Sequence, residues 1–230
     1  MNTELETWLQ ETFASLCQAN GQPIPFSRLR ISPPLAEWEE RYFLLGLEEN
    51  VFAVNEHGAI TSPLLEADEA VAPAGVYPLF SREPPRLLRE NVCQLATAAR
   101  LIVERGWLKK HVILQRRPTG SGPSNDGCDL LVRSRAAEIL ISVEVKRSRL
   151  ELEKLIADLR ACSRRGPHAH EDCGFPQNHS RQEFYRSLRP AYLWAVAPDG
   201  EFCLAVTFKE DSLALEPLGS LPPRSLLELG

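Results

Sequence analysis

The chain has 230 residues, 43% of them apolar and 25% charged, and a net charge of −5. That composition suits one globular domain, or a domain with an appendage, and excludes collagen, coiled coil and wholesale disorder. No uncharged apolar run approaches the roughly 18–20 residues a membrane helix needs. Residues 1–10 carry Glu4 and Glu6 and no basic residue, unlike a secretory or transit peptide, so a cytoplasmic protein is expected. The six cysteines, at 17, 93, 128, 162, 173 and 203, form no CxxC pair. A disulfide framework is not expected, and Cys17, Cys93 and Cys203, set among apolar neighbours, read as buried thiols.

Residues 3–19 predict a first helix, with Leu5, Leu9, Phe13 and Leu16 on one stripe, broken at 21–25 by Gly21 and Pro25. A compact β region follows, with short strands expected at Tyr42–Leu47, Val51–Asn55 and Ala59–Thr61 and turns at Glu49–Asn50 and His57–Gly58. The proline-rich stretch 73–85 then suggests a boundary between an N-terminal α+β appendage, 1–82, and a main domain, 83–230. Leu88, Val92, Leu95, Ala99 and Ile102 trace the stripe of a long helix that Gly106 ends. Strands are expected at His111–Arg116, Leu130–Val132 and Glu138–Lys146, the first two separated by a Gly/Pro-rich loop at 118–127. Ser148 and Glu151 make a capping box before a helix with Leu152, Leu155, Ile156 and Leu159 on its inner face. A short helix near Arg181–Ser187 precedes strands Ala191–Ala197 and Phe202–Phe208, joined by an Asp199–Gly200 turn. Helices flanking a run of strands predict a mixed α/β sandwich.

Charge is uneven along this order. Residues 1–85 hold 4 basic and 13 acidic side chains, 86–189 hold 20 and 12, and 190–230 hold 2 and 6. A basic middle of that size could attract a polyanion.

Two strands carry the chemistry. Asp129 opens an apolar strand directly after the glycine-rich loop. Glu144 and Lys146 alternate with Val143 and Val145, which puts the two charges on one face. Charges within an apolar strand are costly unless paired or bound to metal, and two carboxylates meeting at strand ends suit a hard divalent cation. Asp129 followed by Glu144-x-Lys146 resembles the PD-(D/E)xK phosphodiesterase superfamily, the restriction-endonuclease-like nucleases, over about residues 86–197. The resemblance implies a restriction-endonuclease-like mixed sheet flanked by helices. It implies a metal-dependent nuclease acting on nucleic acid, DNA before RNA, with Mg²⁺ or Mn²⁺ held by Asp129, Glu144 and the backbone of Val145, and with Lys146 positioning the attacking water. Cys128 stands where the family often has proline. A further acid on the preceding helix is common in the family, and Glu90 and Glu104 are the candidates; Glu90 is retained, although both lie opposite the apolar stripe.

Lys109, Lys110, Arg116, Arg117, Arg147, Arg149, Arg160, Arg164 and Arg165 are expected as a group to supply contacts to a phosphate backbone. The acidic N-terminal part is a candidate surface for a protein partner. The alternative to an enzyme is a catalytically silent nuclease-like fold serving as a binding or assembly subunit. Cys162, His168, His170, Cys173 and His179 could hold zinc, but their spacing matches no zinc pattern. They read instead as a polar loop with scattered histidines that binds no structural zinc.

Overall fold

The computed structural model describes residues 3–19, 21, 29–55, 58–65, 77–82, 85–116, 128–163, 172–209 and 212–227. They belong to two compact units, Met1–Lys110 and His111–Gly230. The division therefore falls beyond the proline-rich stretch, and the helix expected at the start of the main domain belongs to the first unit.

In the first unit, α1 (Glu4–Ala19) buries Leu5, Leu9, Phe13 and Cys17, one residue every turn along a single stripe. The strand expected at Tyr42–Leu47 is instead part of a helix, α2 (Glu37–Glu48). The apolar run 42–47 taken by itself fits either structure. The wider spacing decides: Glu39, Tyr42, Phe43 and Gly46 are buried at i, i+3, i+4 and i+7. Three glutamates in the first turn favour the helix N-terminus. Buried Glu39 is neutralised by Arg89, whose Nη1 donates to Oε1 at 2.6 Å, while Arg89 Nε donates to the Pro33 carbonyl at 3.0 Å.

Strands β1 (Ala53–Val54), β2 (Ala59–Thr61) and β3 (Tyr77–Pro78) form a small antiparallel sheet. The expected strand Val51–Asn55 is thus reduced to two residues, and His57 of the expected turn lies outside the described residues. The proline-rich stretch contains a hairpin, β4 (Phe80–Arg82) with β5 (Pro85–Leu87). Helix α3 (Arg89–Val103) buries Val92, Leu95 and Ala99 as expected, and Gly106, at φ 70°, follows its end.

The second unit is built on a six-stranded sheet. Its strands are β6 (Val112–Arg116), β7 (Cys128–Arg133), β8 (Ile139–Val145), β9 (Tyr192–Ala197), β10 (Gly200–Lys209) and β11 (Ser212–Leu218). They lie in the order β11-β10-β9-β8-β7-β6. Strands β6, β7 and β8 form an antiparallel meander. The β8–β9 pair is parallel, because the chain between them crosses over through α4 (Arg149–Ser163) and α5 (Pro176–Leu188). Strands β9, β10 and β11 return to antiparallel pairing. The architecture is therefore mixed α/β, with the last strand, β11, an addition to the expected order. No helix among the described residues is long and apolar enough to cross a membrane.

Local chemistry explains these elements. Ser148 Oγ accepts from Glu151 N at 3.3 Å, as the capping box predicts, while Glu151 Oε2 reaches Arg147 N at 3.3 Å. Asp199 Oδ1 also accepts from Arg149 N at 2.6 Å, tying the β9–β10 turn to the start of α4. Leu152, Leu155, Ile156 and Leu159 of α4 join Leu131, Leu193, Ala195, Phe184 and Tyr185 in one apolar layer on one face of the sheet. The β7–β8 turn is drawn tight by Ser134. Its Oγ accepts from Ala136 N and Glu138 N, its own N–H donates to the Glu138 carbonyl at 2.8 Å, and Ala137 sits at φ 66°. The glycine-rich loop 118–127 lies outside the described residues.

Candidate active site

The register pairs Leu130 with Val143, and one step further along the same antiparallel ladder Asp129 stands opposite Glu144. Residues on this side of β7, β8 and β9 also include Leu131, Ser142, Leu193 and Ala195, given the pairings Leu131–Ser142 and Ser142–Leu193. Glu144 therefore projects into the layer that α4 and α5 cover, and only 1% of it is exposed. Val143 and Val145, on the opposite face, are buried as well.

A carboxylate so deeply placed needs partners. Helix α5 supplies two, one turn apart on its inner side. Tyr185 Oη donates to Glu144 Oε1 at 2.7 Å, and Arg181 Nε lies 2.9 Å from the same oxygen. Lys146 Nζ stands 3.8 Å from Oε2, longer than a hydrogen bond, and donates to the Val145 carbonyl at 2.9 Å. Val145 N donates to Asp129 Oδ2 at 2.5 Å. Asp129, Glu144, Val145 and Lys146 are thus brought together at the end of the β7–β8 pair. Glu90, in the first turn of α3, belongs to the other unit. Glu104, beyond the same helix, is held by Tyr42 and Arg100.

The electrostatics are those of a crowded acidic pair. Burial, and then the charge of Glu144, raise the Asp129 carboxyl from its ordinary 3.8 to about 6, against the opposing pull of Lys146, the Val145 amide and Arg181. The charge of Glu144 holds Arg181 more firmly protonated than usual. Burial, and then Glu144, push the Tyr185 phenol well above its normal range. Its proton therefore stays on Oη and keeps donating to the carboxylate.

A second constellation lies at the junction of α4 and α5. Cys162, Cys173 and His179 place their donor atoms within 4.8 Å of one another, all buried. The reading of this region as a polar loop with scattered histidines is therefore corrected for these three residues. They come from the end of α4, the segment before α5 and the first turn of α5. Converging helix ends gather donors that no compact spacing in the chain would suggest. His168 and His170 lie outside the described residues.

Within the cationic group expected to grip phosphate, Lys109, Arg149 and Arg160 have structural partners. Lys109 Nζ donates to the Glu49 and Asn50 carbonyls at 2.8 and 3.0 Å, capping α2. Arg149 pairs with Glu153 at 3.1 Å and covers the Phe202 ring. Arg160 donates to the Leu215 carbonyl at 2.9 Å. Arg117, Arg164, Arg165 and the side chain of Arg116 lie outside the described residues. The unit boundary also redistributes charge: residues 111–230 contain 16 basic and 16 acidic side chains, so the second unit is neutral.

Arg181 and Tyr185 are the site residues that sequence reasoning missed. The signal was a pair spaced i, i+4 within the short helix expected near Arg181–Ser187, but the spacing does not say that this side of the helix covers Glu144. Comparison with protein-family models and with characterised proteins finds no match to this chain.

Proposed function

We propose that the second unit is a restriction-endonuclease-like domain that hydrolyses phosphodiester bonds of nucleic acid with the help of Mg²⁺ or Mn²⁺. The observation that carries this reading is the juxtaposition of Asp129, Glu144 and Lys146 at the end of two paired strands, in a sheet whose β6–β9 part is an antiparallel meander followed by a helical crossover to a parallel strand. The donor set suits a hard cation. Asp129 and Glu144 Oε2 offer carboxylate oxygens, and a cation between them would offset the burial and the neighbouring Glu144 charge that raise the Asp129 carboxyl. A bound ion would offset negative charge growing on the phosphoryl oxygens.

The protein's own residues divide the remaining work. Tyr185 and Arg181 hold Glu144 Oε1, which fixes the carboxylate and leaves Oε2 turned toward Lys146. Lys146, about one-quarter exposed, is the side chain placed to orient a water at the rim of the site.

One observation favours a second reading, a catalytically silent nuclease-like fold acting as a binding subunit. Glu144 is almost fully covered and already pairs with Arg181 and Tyr185. Incubating the purified protein with single- and double-stranded DNA and RNA, with Mg²⁺, Mn²⁺ or EDTA, separates the two. Metal-dependent cleavage that is lost in Lys146→Ala supports the enzyme; no cleavage of any substrate supports the silent fold.

A further inference from the structure

We propose that Cys162, Cys173 and His179 bind one zinc ion, which fastens the C-terminal end of α4 to the first turn of α5. The site is separate from the carboxylate cluster, and the proposal holds whether or not the protein cuts nucleic acid.

Two of the three donor–donor distances are those of an ion's coordination shell, and all three donor atoms lie within 4.8 Å of one another. Cys162 Sγ lies 3.6 Å from Cys173 Sγ and 3.7 Å from His179 Nδ1. With Zn–S near 2.3 Å and Zn–N near 2.0–2.1 Å, a tetrahedron puts two sulfurs about 3.8 Å apart, and a sulfur about 3.6 Å from a nitrogen. A disulfide would need the two sulfurs at roughly 2.05 Å. The donor type is equally selective, since two thiols and an imidazole suit zinc and do not suit Mg²⁺ or Ca²⁺. All three side chains are over nine-tenths buried; they supply three positions of the tetrahedron, and a water would take the fourth.

The surroundings point the same way. Gln182, fully buried, sets its carboxamide against Cys162 with Oε1 2.8 Å from Sγ, while its Nε2 has no hydrogen-bond partner among the described residues. A half-turn of the amide would present that N–H to the sulfur, the arrangement a thiolate requires and a thiol does not. Phe175 N already donates to Cys173 Sγ at 3.3 Å. Each sulfur thus has an N–H donor at hand, the outer support typical of metal-bound thiolates. Zinc would displace the thiol protons, so its affinity should fall as pH is lowered.

The consequence reaches the acidic cluster through one helix. His179 lies two residues before Arg181 and six before Tyr185, so an ion on His179 would fix the part of α5 that faces Glu144.

The test uses the full chain, purified without added metal and with reductant present. Elemental analysis should find one zinc per chain. Removing it and titrating with Co²⁺ should produce the near-ultraviolet thiolate-to-cobalt charge-transfer band and intense visible bands of a tetrahedral site, which carboxylates at Asp129 and Glu144 cannot give. Cys173→Ser and His179→Ala should lose the stoichiometric ion, and the control Cys203→Ser should keep it. A wild-type protein that holds no zinc and develops no charge-transfer band with Co²⁺ overturns the proposal without reference to any variant. So does a Cys162–Cys173 disulfide found by mass spectrometry in the protein as purified.

Discussion

Tyr185 and Glu144, forty-one positions apart, meet through a 2.7 Å hydrogen bond in which the phenol donates to a carboxylate oxygen, both groups buried. Arg181 approaches the same oxygen at 2.9 Å. Helix α5 thus supplies both a neutral and a charged partner to one atom, and the two should not be equivalent. Tyr185→Phe removes a charge-assisted bond and should cost about 1.5–3 kcal/mol in denaturant unfolding. Arg181→Met removes the counter-charge of a buried carboxylate and should cost about 3–5 kcal/mol. The double variant should differ from the sum of the two singles, since they share an acceptor. Equal and strictly additive losses would contradict a shared carboxylate at this position.

Asp129 gives a pH dependence with a definite sign. Its folded value, about 6, lies above the ordinary 3.8. Between those values the native state binds more protons than the unfolded chain, so stability falls as pH rises from about 4 to about 6 and is level above that. The full loss is about 3 kcal/mol at most. Asp129→Asn keeps an oxygen for the Val145 amide, so it should flatten this slope. It should stabilise the metal-free protein above pH 6 and leave it nearly unchanged near pH 4. Denaturant melts at several pH values read this directly, and a variant that is no more stable at pH 8 than the wild type would refute it.

Lys146 separates folding from chemistry. Its Nζ is partly exposed and 3.8 Å from Glu144, so Lys146→Ala should change stability by no more than about 1 kcal/mol. If the proposed hydrolysis takes place, the same substitution should abolish it. Glu144→Ala is the poorer probe, because it strips the partner from both Arg181 and Tyr185, and a loss of activity there would be mixed with a loss of fold.

The turn of Ala137 offers a gain. Its φ of 66° is strained for any residue with a Cβ. Ala137→Gly should raise stability by about 1 kcal/mol, since removing the strain outweighs the added freedom of the unfolded chain. A decrease in the unfolding midpoint would show that the alanine methyl has a packing role.

Much of the second unit was legible because its signals were local. The capping residues Ser148 and Glu151 and the four apolar positions of α4 lie within twelve consecutive residues, and the Asp199–Gly200 turn announces its own hairpin. The alternation of Val143, Glu144, Val145 and Lys146 likewise placed both charges on one face. Alternation does not say what covers that face. At Glu144 the cover is a helix, α5, whose Arg181 and Tyr185 hold the carboxylate. Strand β11 also had a local signal, Leu213 and Leu215 alternating inward, which went unread beside the stronger hairpin. At Tyr42–Leu47 the apolar run was shorter than the period needed to choose between strand and helix, and only Glu39, a charged residue in the core stripe, completes the pattern. A buried glutamate is intelligible once Arg89, fifty residues later, stands beside it.

The Ser134–Glu138 turn works as a ruler for the acidic cluster. Together with the shift in pairing next to it, where Val132 faces Ile141 but Arg133 faces Ile139, it sets which side chain faces Glu144. One residue more in that turn, taken up by slipping the pairing, would send Asp129 to the far side of the sheet while each strand kept its own composition. Homologous chains that conserve the cluster should hold the length of this turn constant even where its residues vary, and should place their insertions elsewhere.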